Sequence, residues 1–494
     1  MKTKIVATIG PVTDNPESLR ALKKAGMDVA RLNGSHSNLE WHARTIRLIQ
    51  ETLPDLPILL DIPGRKIRTL QLKHEPSFAA GDLITLTTDH SHDGTHKVPV
   101  SYKGLHEDLT AGATILADDG TLRFIVEAIE GQDIICRADC NGTLKSRKGI
   151  NVPYVKLQGP AVTEKDGAMI KFCQEHHVDF VGISFVDSAE HVRQIRELIG
   201  GRTPKIVAKV ENASGLANLE EIVEAADAIM VDRGDLSVET RLEDLALFQK
   251  RILAAATRSA KPVIIATEML HTMISNPFPT KAEVSDITNA ILDGAAATML
   301  SGETAVGQYP VECVAVMRRV ATAAEAYVHT HQIPLVETQL DTVPEATGKA
   351  VGFMCRTLPV TKIIAITRTG FAARAISSQH LPQPVLAVSN NASLARSCNL
   401  LSGVTGIHVD IPFLDTSLDH IPRCLEELWK RGELDYDDLI LITAVSYPKS
   451  GNRMNLLQTH EVADLVEAFG WKHPDARSAD SLSVTAPEQE PLTV

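Results

Sequence analysis

Aromatic side chains are scarce in this chain, at 4% of residues with three tryptophans. That leaves little material for the stacking platforms that hold single-stranded nucleic acids. Basic charge is in deficit too: 49 Lys and Arg stand against 62 Asp and Glu, a formal net charge of −13. A protein that neutralises phosphates along a nucleic acid shows the opposite balance, so no nucleic-acid partner is expected. No apolar run approaches the roughly 18–20 residues of a membrane span, and the opening residues lack an apolar stretch ending in a cleavage site. Neither membrane insertion nor secretion is expected. The seven cysteines (136, 140, 173, 313, 355, 398, 424) are an odd number without metal-ligand spacing, since no second pair completes a zinc set with Cys136 and Cys140. Reduced, buried thiols in a cytoplasmic protein fit that pattern. What is abundant is ordinary globular material: 494 residues, 44% hydrophobic and 22% charged. Such a length suggests about three domains.

The first stretch alternates short apolar strands with helical patterns. Residues 4–10 read as a strand and 16–26 as a helix, with Leu19, Leu22 and Ala25 at helical spacing and Gly26 as its stop. Strand, helix and strand follow at 27–33, 39–53 and 57–61, a rhythm of parallel strands with helical crossovers. Residues 70–157 break it with short strand-like pieces, turn dipeptides such as Asp-Gly and Asn-Gly, and no strong helix. After Pro160 the alternation resumes, with strands at 178–184, 204–210, 227–232, 261–267 and 296–300. Three strands before the insert and five after make eight, in about 250 residues, the size of a (β/α)8 TIM barrel. A doubly wound open sheet is the alternative. A further α/β unit shows strands at 362–367, 384–389, 406–411 and 438–444. The expected division is a barrel from residues 1–69 and 158–337, an all-β insert after strand three at 70–157, a C-terminal α/β unit at 338–473 and a disordered tail at 474–494.

In such a barrel the active site lies at the C-terminal ends of the strands. Those ends read Arg31-Leu32-Asn33-Gly34-Ser35-His36, Asp61, Ser184, Lys209-Val210-Glu211-Asn212, Asp232-Arg233-Gly234-Asp235, Thr267-Glu268 and Ser301-Gly302-Glu303. A rim crowded with charge of both signs suggests an anionic substrate plus a metal. Lys209 and Glu211, two residues apart, point to one face of their strand. A lysine beside two carboxylates, Glu211 and Asp235, suits phosphoryl transfer: hard oxygens hold Mg2+, and the ammonium neutralises charge on the group in flight. On these residues alone a plain rim salt bridge accounts for the pair equally well.

Longer motifs carry a resemblance. TKIVATIGP (3–11), AGMDVARLNGSH (25–36), SRKGINVP (146–153), AVTEKD (161–166), VAKVEN (207–212), RGDL (233–236), ATEML (266–270), PFPTKAEVSD (277–286) and LDGAAATMLSGETAVGQYP (292–310) resemble landmarks of the pyruvate kinase family, in order. The resemblance implies that the insert is a lid domain and the C-terminal unit a regulatory domain, in a cytoplasmic homotetramer. It implies transfer of the phosphoryl group of phosphoenolpyruvate to ADP, giving pyruvate and ATP, with Mg2+ or Mn2+ as cofactor. Catalytic and substrate-binding roles then fall on Lys209, Thr267, Arg31, Gly234 and Asp235. Glu211 and Asp235 would bind the metal, and Thr267 would sit where the enolate carbon is protonated through a water. Asn33, His36, Arg68, Asp119 and Lys148 would address the nucleotide, the last two from the lid. Asn33, Ser35 and Asp61 would mark a monovalent-cation site.

The departures are informative. Potassium-requiring members resemble Asp-Thr-Lys-Gly-Pro-Glu-Ile-Arg-Thr where this chain reads Asp61-Ile62-Pro63-Gly64-Arg65-Lys66-Ile67-Arg68-Thr69. Ile62 replaces a threonine that helps ligate the ion, and Lys66 replaces a glutamate. A fixed ammonium is expected to substitute for K+, which is then not required. Asp232 stands where alanine is usual, Ser237 for glycine, Gly34 for phenylalanine, Glu268 for glutamine and Phe278 for arginine. Asp232 and Glu268 are expected to pair with Arg233 or Lys281, or else to weaken anion binding. Phe278 is expected to alter subunit contacts. In the C-terminal unit Thr367, Thr369 and Gly370 make a strand-to-helix turn suited to an effector phosphate. Phe371 and Ala372 stand where a basic residue and a hydroxyl are common in members regulated by a sugar bisphosphate. A monophosphate sugar or nucleotide effector, or none, therefore fits better, with a second loop from Ser446 to Arg453. Two rival readings are an aldolase or decarboxylase working through a metal enolate, and a non-catalytic paralogue that binds a metabolite. Asp119 and Lys148 stand against the first, since such an enzyme needs no nucleotide clamp. The complete set of acid, base and metal-ligand residues stands against the second.

Overall fold

The computed structural model describes residues 2–331, 343–414, 418–444 and 454–472. They form two compact units, divided near residue 340, with residues 396–403 in the first.

In the first unit eight parallel strands close into a barrel: β1 (Lys4–Thr8), β2 (Val29–Asn33), β3 (Ile58–Ile62), β4 (Phe180–Ile183), β5 (Lys205–Val210), β6 (Ala228–Asp232), β7 (Val263–Ala266) and β8 (Ala297–Leu300). Each pairs with its neighbour in this order, and β8 returns to β1 through Lys4 against Ala297. Closure excludes the open-sheet alternative. The strands match the expected stretches to within two residues at each end. Both faces of every strand are covered, which is why they read as apolar runs rather than alternating ones.

Alternation nevertheless decides what faces inward. Val6, Val29, Leu59, Phe180, Val207, Met230, Ile264 and Met299 belong to one buried cluster inside the ring. Two residues further along, on the same face, come Thr8, Arg31, Asp61, Gly182, Lys209, Asp232 and Ala266. The register that fills the middle with hydrocarbon therefore puts charge in the next layer, at the C-terminal mouth. Helices cover the outside. Pro16–Ala25 starts from Asn15, whose side chain accepts from the Ser18 N–H, carries Pro16 in its first turn, buries Leu19 and Leu22, and stops at Gly26 with φ 128°. Capping boxes, Thr163 with Asp166 and Thr280 with Glu283, open two more.

Between β3 and β4 the insert folds as a seven-stranded sheet. In spatial order its strands are Ile67–Arg68, Gly149–Asn151, Thr114–Ala117, Leu122–Glu130, Asp133–Ala138, Leu83–Thr87 and Val98–Pro99. Leu86, Ile115, Phe124 and Ile134 centre its own core. One four-residue helix, Leu105–Asp108, interrupts the strands. The chain's ways in and out are paired, Ile67 against Ile150 and Arg68 against Gly149, so the stalk is a two-stranded antiparallel ribbon.

The second unit is a five-stranded sheet. Val404–His408, Val385–Ser389, Lys362–Ile366 and Leu439–Ala444 lie parallel, with Leu456–Glu461 antiparallel at one edge. That edge strand has no counterpart among the expected ones. It is partly or fully exposed along its length, so it shows neither an apolar run nor alternation. The expected strand at 406–411 begins at 404 instead. The expected loop from 446 to 453 and the expected tail at 474–494 lie outside the described residues.

Candidate active site

Five strands supply inward-facing polar side chains to the barrel mouth by alternation. Arg31 on β2 donates from Nη2 and Nε to Asp61 Oδ2 on β3, at 2.7 and 3.1 Å, and from Nη1 to Thr8 Oγ1 at 3.2 Å. Lys209 on β5 places its Nζ 2.6 Å from Glu211 Oε1, 3.2 Å from Asp232 Oδ2 and 3.8 Å from Asp61 Oδ2. Ser184 Oγ accepts from the same ammonium at 3.4 Å. The Phe185 N–H donates to Glu211 Oε2 at 2.7 Å. Lys66, in the loop after β3, donates to Asp235 Oδ1 at 2.6 Å and lies over the Phe185 ring, 5.6 Å from its centroid. Asp235 belongs to the helix Arg233–Glu239, which begins where β6 ends.

Room for this cluster is made on β4. Gly182 is registered against Asp61, and a Cβ there would lie 2.0 Å from Asp61 Oδ1. No side chain larger than hydrogen fits without moving the carboxylate.

Lys209 is 5% exposed and Glu211 0%, so their charges are desolvated and their electrostatics strong. Burial opposes the charge on Lys209, yet Glu211, Asp232 and Asp61 hold it protonated, well above the ordinary lysine range. Burial pushes the Glu211 carboxyl up, against the pull of Lys209, and Asp232 and Asp235 push the same way. Asp235 is likewise raised by burial and by Asp232. Asp232 goes the other way: burial opposes its charge, but Lys209, Lys66 and Arg31 keep it ionised, below the usual carboxylate value. Carboxylates raised by burial and by one another call for a further positive charge. Glu211, Asp232 and Asp235 each offer an oxygen, all within 4.8 Å of one another. A hard divalent cation fits that donor set.

Thr267 follows β7 at φ 68°, and Glu268 after it at φ 56°. A β-branched residue at positive φ is strained, and such strain gathers at functional sites. The turn it makes has a use here: Thr267 Oγ1 accepts from the Gly234 N–H at 2.9 Å and donates to Ala266 O at 2.7 Å. Arg233 donates to Thr267 O at 2.6 Å and pairs with Asp286. The expected pairing of Asp232 with Arg233 or Lys281 is thus corrected. Asp232 points inward to Lys209 because it ends a strand on the inward face, while Arg233 starts a helix and reaches Asp286. Glu268 is exposed.

The structure brings Arg31, Asp61, Lys66, Lys209, Glu211 and Asp235 together, with Thr267 and Gly234 joined beside them. Asn33 ends β2, and its Oδ1 accepts from the Ser35 N–H at 3.1 Å. His36 lies close to Arg68, Arg31 and Lys66: partial desolvation and these cations pull its imidazole below the usual value. Arg68, in the stalk, donates to Arg147 O at 3.1 Å. In the insert Lys148 pairs with Asp118 at 2.6 Å, not with Asp119, and both aspartates have positive φ. The same turn approaches the barrel: a Cβ on Gly120 would lie 3.3 Å from Val238 of the helix that carries Asp235. In the second unit Gly370 adopts φ 80° and its N–H donates to Thr367 Oγ1 at 2.9 Å, so that hydroxyl closes the turn, with Thr369 inside it. The sequence alone gives neither the contacts of Asp232 and Ser184 with Lys209 nor the need for Gly182. Each depends on which strands are neighbours, a signal no local pattern holds.

Comparison with known proteins agrees across the chain. A family model described as the barrel domain of pyruvate kinase matches residues 1–314, and one described as its alpha/beta domain matches 345–460. Pyruvate kinase of Geobacillus stearothermophilus is 38% identical over 478 residues, 94% of this chain and 81% of that protein. Pyruvate kinase of Clostridium perfringens is 40% identical over 416 residues, 82% and 88% of the two chains. That of Mycobacterium tuberculosis is 36% identical over 476 residues, 93% of this chain and 98% of that one. Among solved structures, a pyruvate kinase from Cryptosporidium parvum matches with a TM-score of 0.84 at 33% identity, covering 93% of this chain and 96% of that one.

Proposed function

Because the chain belongs to the pyruvate kinase family, and is with it a phosphotransferase, we propose that it passes the phosphoryl group of phosphoenolpyruvate to ADP through the cluster at the barrel mouth, without needing potassium. The observation that supports this most is the placement of Lys209, buried between Glu211 and Asp232 with Arg31–Asp61 alongside. In the reaction the bond from the enol oxygen to phosphorus breaks, a new one forms to a terminal oxygen of ADP, and the enolate takes a proton at its methylene carbon. Lys209 and Arg31 neutralise the phosphoryl group as it crosses, in a site where few waters screen them. The Asp235 amide, and that of Gly234 once it leaves Thr267 Oγ1, receive the substrate carboxylate. Thr267 holds the water that protonates the carbon, since its own hydroxyl is a poor acid and already donates to Ala266 O. Glu211 and Asp235 would hold Mg2+ or Mn2+, which supplies Lewis-acid neutralisation of substrate oxygens when bound. Asn33, His36 and Arg68 address the nucleotide, and Asp119 and Lys148 close over it from the insert, excluding water as an acceptor.

Potassium independence rests on Lys66 and on the proposed cation residues. Lys66 places a permanent ammonium on Asp235. Asp61 Oδ2 is shared by Arg31 and Lys209, Asn33 Oδ1 is occupied by the Ser35 amide, and Ile62 offers only hydrocarbon. The wider reading is a cytoplasmic homotetramer divided at 1–69 with 158–337, 70–157 and 338–473, its Thr367–Gly370 turn taking a monophosphate effector or none. A coupled assay with phosphoenolpyruvate and ADP in buffer free of sodium and potassium tests the main claim. Full activity is expected, little changed by KCl, and Lys209→Met should lose transfer while keeping most metal binding. Large stimulation by KCl, or transfer that survives Lys209→Met, would overturn it.

A further inference from the structure

Asp232 is the one carboxylate of the cluster to which the proposed reaction gives no step of its own. Asp232 ends β6, and β5 and β6 are registered with Lys209 against Met230, so Asp232 stands one inward step above that pair. Its Oδ2 is 3.2 Å from Lys209 Nζ, on the opposite side of the ammonium's strand from Asp61 on β3. An oxygen of Asp232 also lies within 4.8 Å of oxygens on Glu211 and Asp235. It is buried, so water does little to screen it.

The charges of the cluster make its presence consequential. Arg31, Lys66 and Lys209 are three cations, and they face four carboxylates, Asp61, Glu211, Asp232 and Asp235. Without Asp232 cations and carboxylates would be equal in number. No anionic surplus would remain to draw in a divalent cation, and Glu211, one of the side chains proposed to hold that cation, would share Lys209 with Asp61 alone. Without Lys66 the surplus would double, and a mobile cation would be needed to offset it. Lys66 and Asp232 carry opposite charge, and each offsets the other in this count.

We propose that Asp232 is a positioning residue coupled to Lys66: it shares Lys209 with Glu211 and offsets the fixed ammonium, so that the cluster keeps the negative surplus a divalent cation requires. The inference rests on the reading of Lys66 as a substitute for potassium.

A double-mutant cycle tests it with Asp232→Ala, Lys66→Glu and the double variant. Two readouts are taken on the full-length protein: Mn2+ binding by electron paramagnetic resonance with no substrate present, and kcat and KM for phosphoenolpyruvate with and without KCl. In the Lys66 background, Asp232→Ala is expected to weaken Mn2+ binding about tenfold and to lower kcat more than it changes KM, the sign of a group felt mainly in the transition state. In the Lys66→Glu background with KCl, the same substitution should change either by less than about twofold, because the surplus no longer depends on it. Asp232→Asn, which keeps the shape and removes the charge, should behave as the alanine variant does, and Asp232→Glu should restore Mn2+ binding. Equal effects of Asp232→Ala in both backgrounds overturn the coupling, as does an Asp232→Asn variant that binds Mn2+ like the wild type. The potassium reading fails by a different result, strong stimulation of the unmutated enzyme by KCl, so the two failures are told apart.

Discussion

At the scale of single residues, the site is a matter of alternation and of room. Lys209 and Glu211 are legible in the sequence because residues two apart in extended chain share a face. Asp232 is equally visible as a letter, yet its partner lies on a neighbouring strand 23 positions away and is chosen by register. Gly182 carries the sharpest steric requirement. A Cβ at 2.0 Å from Asp61 Oδ1 cannot be absorbed at the far end of a flexible chain, because that oxygen belongs to a short, buried carboxylate held by Arg31 and Lys209. Gly182→Ala is therefore expected to cost about 1–3 kcal/mol, the usual range for overpacking a tight core, and to lower kcat by displacing Asp61. Chemical denaturation and steady-state kinetics on one preparation check both. A variant with unchanged midpoint and activity would show that Asp61 has slack the packing does not reveal.

At the scale of elements, the stalk of the insert is tied to one helix twice. Lys66 reaches Asp235, and Asn151, on the outgoing strand, donates from Nδ2 to Glu239 Oε1 at 2.7 Å. Asp235 and Glu239 are four residues apart and so lie on one helix face. Burial pushes the Glu239 carboxyl up to about 7; Asp235 adds to this, while Asn151 and Lys66 work the other way. The folded protein thus keeps a proton that an unfolded chain loses near 4.5. The contribution to stability is complete below that lower value and is lost as pH rises through about 7. Glu239→Gln removes the titration. Its stability relative to the wild type should rise between about pH 5 and 7 and then level off, by at most about 3 kcal/mol. Thermal midpoints of both proteins across that range are the measurement, and parallel profiles would count against a buried, protonated Glu239. None of this tie is legible in the sequence, although the strands and the helix that carry it are. Gly149–Asn151 reads as part of a β-rich stretch, and only its pairing with Ile67–Arg68 aims Asn151 at the barrel. The edge strand Leu456–Glu461 is the converse case: half exposed, it has no pattern to read, and it exists because Leu439–Ala444 offers it a backbone.

At the scale of the whole molecule, the scarce and scattered cysteines can be put to use. None of the seven forms a disulfide, and all but Cys140 are buried. Burial pushes the thiols of Cys136, Cys173, Cys313 and Cys424 up to about 12 and that of Cys355 to about 11. Thiolates are the reactive form, so these groups are inert while the fold holds. A chromogenic disulfide reagent should titrate about one thiol per native chain and the remainder only in denaturant. Rapid reaction of several thiols in the native protein would mean that the units open far more readily than their closed cores imply. Among the described residues no helix is long and apolar enough to cross a membrane, in keeping with the short apolar runs of the sequence.

Composition, the period of apolar residues and the turn dipeptides were enough by themselves to determine the order of strands and helices in the barrel, the β-rich insert and the charged letters at the strand ends. Each of these depends on residues adjacent in the chain, where φ/ψ preference and side-chain direction act. Tertiary structure alone decided that the sheet closes, that Asp232 leans on Lys209 and not Arg233, that position 182 has no space for a methyl, and that the insert is fastened to the Arg233–Glu239 helix. The physical reason is that a closed ring sets which residues of distant strands stand level with one another, and the pairing of buried charges follows from that levelling.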